Sequence, residues 1–359
     1  MSLESSGSLR SYLATAFCAR LADEGMAVAV VLLALERTGS AAQGAFVLAA
    51  WMAPHVLAAP LTGSLAARVR RPRLFYAAAL GGFGAAIAGV ALVVGRGPLG
   101  LTLAVALAGG CCGPVVSGGL SSLVVSLVSD AAEETEEAAR ARAYAWDAAT
   151  YNAASVVGPA GVALTAAAVS PGAATLLLAG VAGLAAALVC ALPLRAGLAP
   201  ASRPSVRADL VAGLAAVWRI PALRAITAST CVAYVGIGGL TVTAVLLAGE
   251  RGRPGGAGAL VTAFALGALG GCLAVARRPP RMSARRLARW SLLGTGVALA
   301  GAAAAPSYAL AVVFFGAAGL CDGPLLTATL RIRASHAPDA VRTQVFTLGA
   351  GLKLSAAAG

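Results

Sequence analysis

The chain has 359 residues, 59% hydrophobic and 11% charged, with a mean hydropathy of +0.85. A soluble domain is roughly 45–50% apolar, so the composition excludes one and requires an integral membrane protein. The formal charge of +13 would suit nucleic acid, but no aromatic residues are interleaved with the basic ones, and nucleic acid is not expected as a partner.

Apolar runs long enough to cross a hydrocarbon core of about 30 Å as helices predict spans at residues 11–35, 42–66, 74–94, 99–127, 144–169, 173–194, 223–249, 257–276, 287–305 and 308–330. An eleventh starts near Val345. In lipid each must be helical, because its backbone polar groups have to be satisfied within the segment. The expected fold class is therefore an all-α polytopic membrane protein.

The first span contains CARLADEGMAVAVV, with Arg20, Asp23 and Glu24 inside an apolar run. Spacings of three and four put both carboxylates on the guanidinium's face. A charge at the bilayer centre costs about 3 kcal/mol on insertion scales, so such residues face a cavity or a partner. One base against two acids leaves a surplus carboxylate, which fits proton coupling and substrate contact; an internal pair orienting the first helix is the structural alternative. In the second span, His55 lies within WMAPHVLAAP, as a proton carrier or as a hydrogen-bonded packing residue. Ser117, Ser121 and Ser122 on the fourth span either bind ligand or permit close helix packing.

In the fifth span Tyr144, Asp147 and Tyr151 share a face, with Asn152 beside them, as candidate lining of a substrate cavity; for Asp147 a plain boundary position is the alternative. Asp322, in GLCDGPLL of the tenth span, sits ahead of Pro324, where a bend would open a polar cavity. Lys353, the only lysine, falls inside the eleventh helix and is placed to meet an anion or a carboxylate.

With the N-terminus inside, 21 of the 27 Lys and Arg fall in cytoplasmic segments and 4 in outer loops, which orients the chain. Trp146, Trp218 and Trp290 fall near the cytoplasmic boundary as interfacial anchors. The seven cysteines lie in spans without metal-ligand spacing and read as packing residues. The first apolar run lacks a basic n-region and a small-residue cleavage site, so no cleavable signal is expected.

Two stretches recur. VLLALERTG at 31–39 returns as VLLAGERGR at 245–253, an offset of 214, and GSLAARVRRPRLF at 63–75 as GCLAVARRPPRMS at 271–283, an offset of 208. Two parallel six-helix copies fit these offsets, with a first bundle at 1–194, a cytoplasmic linker at 195–222 and a second bundle at 223–359.

This layout resembles the major facilitator superfamily of secondary transporters, whose best-known motif reads GxLADRxGRR after the second helix. Gly63, Leu65, Ala66, Arg68 and Arg71 fall on it, while Ala67 replaces its aspartate and Arg70 its second glycine. Gly158, Pro159 and Gly161 partly echo GPxxGG, found in the fifth helix of many antiporters. The resemblance implies twelve spans, and a chain ending within the eleventh is expected to be a truncated or fragmentary form. It also implies a cytoplasmic gate, with Arg68, Arg70, Arg71 and Arg73 facing Asp130, Glu133, Glu134, Glu136 and Glu137.

The expectation is a proton-coupled exporter of a small organic compound, monomeric, in the inner membrane, with a cytoplasmic N-terminus and no cofactor. Proton-coupled uptake and a non-transporting or remnant membrane protein are the alternatives. No GxxxxGK[ST] loop is present for direct ATP drive. A membrane enzyme would need a metal cluster or a nucleophile and base pair, and none has recognisable spacing.

Overall fold

Serine and proline mark many helix starts. Ser40, Ser170, Ser283 and Ser307 each accept a hydrogen bond from the backbone N–H three residues on, and Pro54, Pro72, Pro171 and Pro221 occupy first-turn positions, where a missing N–H costs nothing. Gly39, Gly95 and Gly252 follow helix ends with φ of 68°, 70° and 69°, a left-handed backbone that a side chain disfavours.

The structure is a computed structural model that describes residues 3–128, 133–194, 205–253 and 255–358, and it contains no strand among them. In chain order the helices are α1 (Leu3–Thr38), α2 (Ala41–Met52), α3 (Pro54–Arg68), α4 (Pro72–Val93) and α5 (Leu99–Gly110). A π-helical turn at Val115–Gly119 then leads into α6 (Leu120–Ser122) and α7 (Val124–Val128). After these come α8 (Glu133–Ala168), α9 (Pro171–Cys190), α10 (Val206–Arg219), α11 (Pro221–Gly238), α12 (Leu240–Glu250), α13 (Ala257–Arg277), α14 (Ala284–Ala304), α15 (Tyr308–His336) and α16 (Arg342–Ala358).

Seven described helical stretches are long and apolar enough to cross a membrane. They carry the expected second, third, fourth, sixth, eighth, ninth and tenth spans; the first, fifth and eleventh fall on α1, α8 and α16, which do not meet that test, and the seventh on α11 and α12. The second is broken at Ala53, the fourth through the π turn, and the seventh at Gly239. Where sequence pointed only to a linker, α10 forms, with Leu210, Leu214 and Val217 at helical spacing, and the chain then bends by 84° into α11.

The chain forms two compact units. One comprises Met1–Leu127, Ala153–Ala216 and Pro338–Gly351; the other comprises Val128–Asn152, Val217–Ala337 and Leu352–Gly359. In the first, α1 packs on α2, α2 on α5 and α4 on α5, and α9 lies against both α1 and α4. The second repeats the pairings as α12 on α13, α13 on α15 and α14 on α15. Its core gathers Leu247, Leu260, Phe264 and Phe315, with a second cluster at Ile226, Leu325 and Ile332. Glycines bring α13 and α15 together: a Cβ on Gly319 would lie 1.9 Å from the Phe264 oxygen, and one on Gly323 2.1 Å from that of Ala268. On this unit α11, α14 and α15 also line a mainly apolar groove of about 590 Å³.

Candidate functional site

In the first unit, Arg20 is 1% exposed, and its Nη2 donates to Ser121 Oγ at 3.0 Å. The serine is brought there by the π turn one step earlier in the same span. Asp23 is half-buried on the same helix, beside Trp51 and the imidazole of His55. His55 is 3% exposed, and its Nδ1 has no hydrogen-bond partner among the described residues. Glycines on and after α5 make room for this pair. A Cβ on Gly113 would lie 1.9 Å from His55 Nε2, and one on Gly109 2.2 Å from the Trp51 ring. Trp51 rests in turn on Phe83, with ring centroids 5.1 Å apart. Glu24 borders a close crossing of α1 and α8, where a Cβ on Gly158 would meet Gly25 N at 2.9 Å and Glu24 Cβ at 3.3 Å.

In the second unit, Asp322 and Lys353 line one narrow cavity together with Thr230, Tyr234, Thr329 and Arg333. Lys353 Nζ donates to Tyr234 Oη at 3.1 Å and lies 4.3 Å from the centroid of that ring, a cation–π contact. Arg333 is 4% exposed, with Tyr151, Cys231 and Tyr234 around it. Asn152 donates to Cys272 Sγ at 3.3 Å, and Cys272 donates to the Gly323 oxygen at 3.2 Å, one residue beyond Asp322. Tyr144 and Asp147 are fully buried, and Asp147 lies near Cys272. Among the described residues no group of three His, Cys, Asp or Glu is placed to hold a metal ion.

The arginine-rich loop is held through Arg68. Arg68 Nε pairs with Asp209 Oδ2 of α10 at 2.7 Å, and Ser64 Oγ donates to the same oxygen at 3.5 Å. Arg70, Arg71, Arg73 and Leu65 are exposed. Gly63 admits the backbone of α16, since a Cβ there would lie 2.6 Å from Gln344 Cα. Of the acids expected opposite the loop, Asp130 lies outside the described residues, and Glu137 pairs with Arg331 at 3.3 Å within the second unit.

The structure therefore brings Arg20 to Ser121, Asp23 to His55, and Asp322 to Lys353. Ser117 Oγ donates to the Gly113 carbonyl within its own helix, as close-packed membrane helices allow. Trp51, Asp209, Tyr234, Cys272 and Arg333 were not singled out from sequence. Arg333 was visible in principle: Asp322, Leu326, Thr329 and Arg333 follow i, i+4, i+7, i+11 spacing and share one face of α15.

No curated protein matches the sequence. Solved structures that resemble it include the human organic anion transporter MFSD10 (19% identity, 98% of this chain and 92% of that one, TM-score 0.74). The E. coli fucose:proton symporter FucP is also similar (12% identity, 98% and 89%, TM-score 0.72). So is a bacterial homologue of the iron transporter ferroportin, in an outward-facing state (17% identity, 97% and 89%, TM-score 0.71). At these identities the likeness carries the fold alone. The sequence model of the Major Facilitator Superfamily matches residues 12–358, from the first span into the last helix, and the chain belongs to that family of transporters.

Proposed function

We propose that the protein is a proton-coupled secondary transporter that exports a small organic compound across the inner membrane. The observation that carries this reading is the Asp23 and His55 pair: two titratable side chains from α1 and α3 meet within membrane-spanning helices, with His55 almost wholly out of solvent. A group that titrates inside the bilayer is costly to keep without a task. Asp23 holds a proton in one state and releases it in the other, with His55 as its electrostatic counterpart. Arg20 holds Ser121 and balances the acidic charge of Asp23 and Glu24 on the same helix. Ser117, Tyr144, Asp147, Tyr151, Asn152, Asp322 and Lys353 complete the substrate-facing set.

Two halves, at 1–194 and 223–359, alternate in access, with the N-terminus cytoplasmic and the chain acting as a monomer. The Arg68 and Asp209 pair belongs to the cytoplasmic gate, together with Gly63, Leu65, Arg70, Arg71 and Asp130. Proton coupling suits a fold shared with proteins described as fucose:proton and proton:xylose symporters. Export rests on the partial fifth-helix motif and a mainly apolar lining.

The test is transport driven by an imposed pH gradient in vesicles, for the parent, Asp23→Asn and His55→Gln at matched protein level. Asp23→Asn is expected to lose gradient-driven accumulation while keeping substrate exchange. Unchanged accumulation in both variants would rule out this proton route.

A further inference from the structure

In the second unit the cavity between α11, α15 and α16 has an unbalanced charge. Its ionisable residues are Asp322, Arg333, Lys353 and the phenol of Tyr234. Lys353 acts on the charge of Asp322, so these two offset one another. Arg333 lies three turns further along α15, about 16 Å by helical rise. The groups around its guanidinium, Tyr151 of α8 and Cys231 and Tyr234 of α11, are phenols and a thiol rather than carboxylates. None of them cancels its charge.

The same guanidinium is 4% exposed, and its Nε and Nη2 have no hydrogen-bond partner among the described residues. Those two nitrogens form the side-on fork of an arginine, with parallel N–H groups that match the two oxygens of one carboxylate. The cavity's threonines are already committed as donors: Thr230 Oγ1 to the Ile226 and Thr227 oxygens, and Thr329 Oγ1 to the Leu325 oxygen. They offer a ligand only acceptor lone pairs.

We infer that Arg333 binds the carboxylate of a small organic monoanion bidentately, in a form of the unit in which this cavity, about 10 Å³ here and room for one water, is widened. Lys353 and Tyr234 border the same cavity, and the threonines accept from ligand hydroxyls. The inference deepens the transport reading, on which it rests for the ligand being cargo, by giving that cargo a charge.

A buried guanidinium without a counter-ion destabilises the empty protein, so its removal and its ligand each relieve the same cost, and removal abolishes the response to ligand. Purified protein in lipid-free detergent is heated with benzoate or with benzamide at matched ionic strength, for the parent, Arg333→Met and Arg333→Lys. For the parent, benzoate is expected to raise the unfolding temperature saturably while benzamide does not. Without ligand, Arg333→Met should be at least as heat-resistant as the parent and should bind benzoate about 10-fold or more weakly; Arg333→Lys should keep part of the response.

Equal responses to acid and amide, no response to either, or an unchanged benzoate response in Arg333→Met would each overturn the assignment. The coupling reading fails separately: selective benzoate binding with no pH-driven flux in vesicles sinks that reading and leaves this one. Should Arg333→Met not fold, the comparison of benzoate with benzamide on the parent still decides.

Discussion

Arg37 and Arg251, 214 positions apart, do the same work in their separate units. Arg37 Nη1 donates to the Ala91 and Val94 oxygens at the end of α4, at 2.6 and 2.9 Å. Arg251 Nη2 donates to the Ala303 oxygen at the end of α14, at 3.0 Å. Each places a cation on carbonyls that have no helical partner and on the negative end of a helix dipole. The duplicated ER dipeptide is thus a duplicated cap. Arg37→Ala should cost about 1–2 kcal/mol and Arg251→Ala about 1 kcal/mol, from charged hydrogen bonds partly replaced by water. Unfolding in detergent measures both; if the single-contact residue proves the costlier one, the capping account is wrong.

Gly113 is predicted to be sensitive because its nearest neighbour is the His55 ring. An alanine methyl there would lie 1.9 Å from His55 Nε2, and such overpacking costs about 1–3 kcal/mol. It would also push the imidazole off Asp23, so pH-driven transport should fall with stability. Gly180→Ala, whose Cβ meets nothing within 4 Å, is the control and should behave like the parent. Equal effects at the two sites would remove the argument from close contact.

The Arg68 and Asp209 pair is partly exposed, with side chains 25% and 16% accessible, so its contribution to stability is expected at about 1 kcal/mol or less. Its effect on the transport cycle should be larger. Arg68→Asp and Asp209→Arg should each slow transport, and the exchanged pair should recover part of the rate. A double variant slower than either single one would argue against a latch.

Topology is checked with single cysteines in a cysteine-free background. An impermeant thiol reagent on intact cells should label Arg253→Cys, in a loop expected outside, and spare Ser283→Cys, in the arginine-rich loop after α13. The reverse pattern would overturn the orientation drawn from the basic residues.

Much of the helical layout is legible because lipid imposes a length and an apolar composition on every crossing. α4, α13 and α14 begin and end within three residues of expectation. The site is less legible, because its partners come from distant helices and no local pattern announces them. Arg20 reads as the natural partner of Asp23 and Glu24 by spacing, yet Asp23 faces His55 and Trp51 from the next span. Arg333 follows Arg331 at the expected cytoplasmic end and is masked by it: both read as orientation signals. One pairs with Glu137, and the other is buried without such a pair. Asp209 was hidden in a segment whose arginines and prolines suggested a connector.

The π turn at Val115–Gly119 makes the first unit's site a matter of phase. Such a turn takes up one residue more than an α-helical turn, which is about 100° of rotation for everything after it. Ser121 reaches Arg20 at 3.0 Å only with that extra residue in place. Losing Gly118 or Gly119 would leave every candidate side chain in the protein unchanged, yet swing Ser121 roughly a quarter turn off the guanidinium. An insertion or deletion here therefore acts as a substitution at Arg20 would, and related chains that differ by one residue in this stretch should carry a different partner for their first-helix arginine.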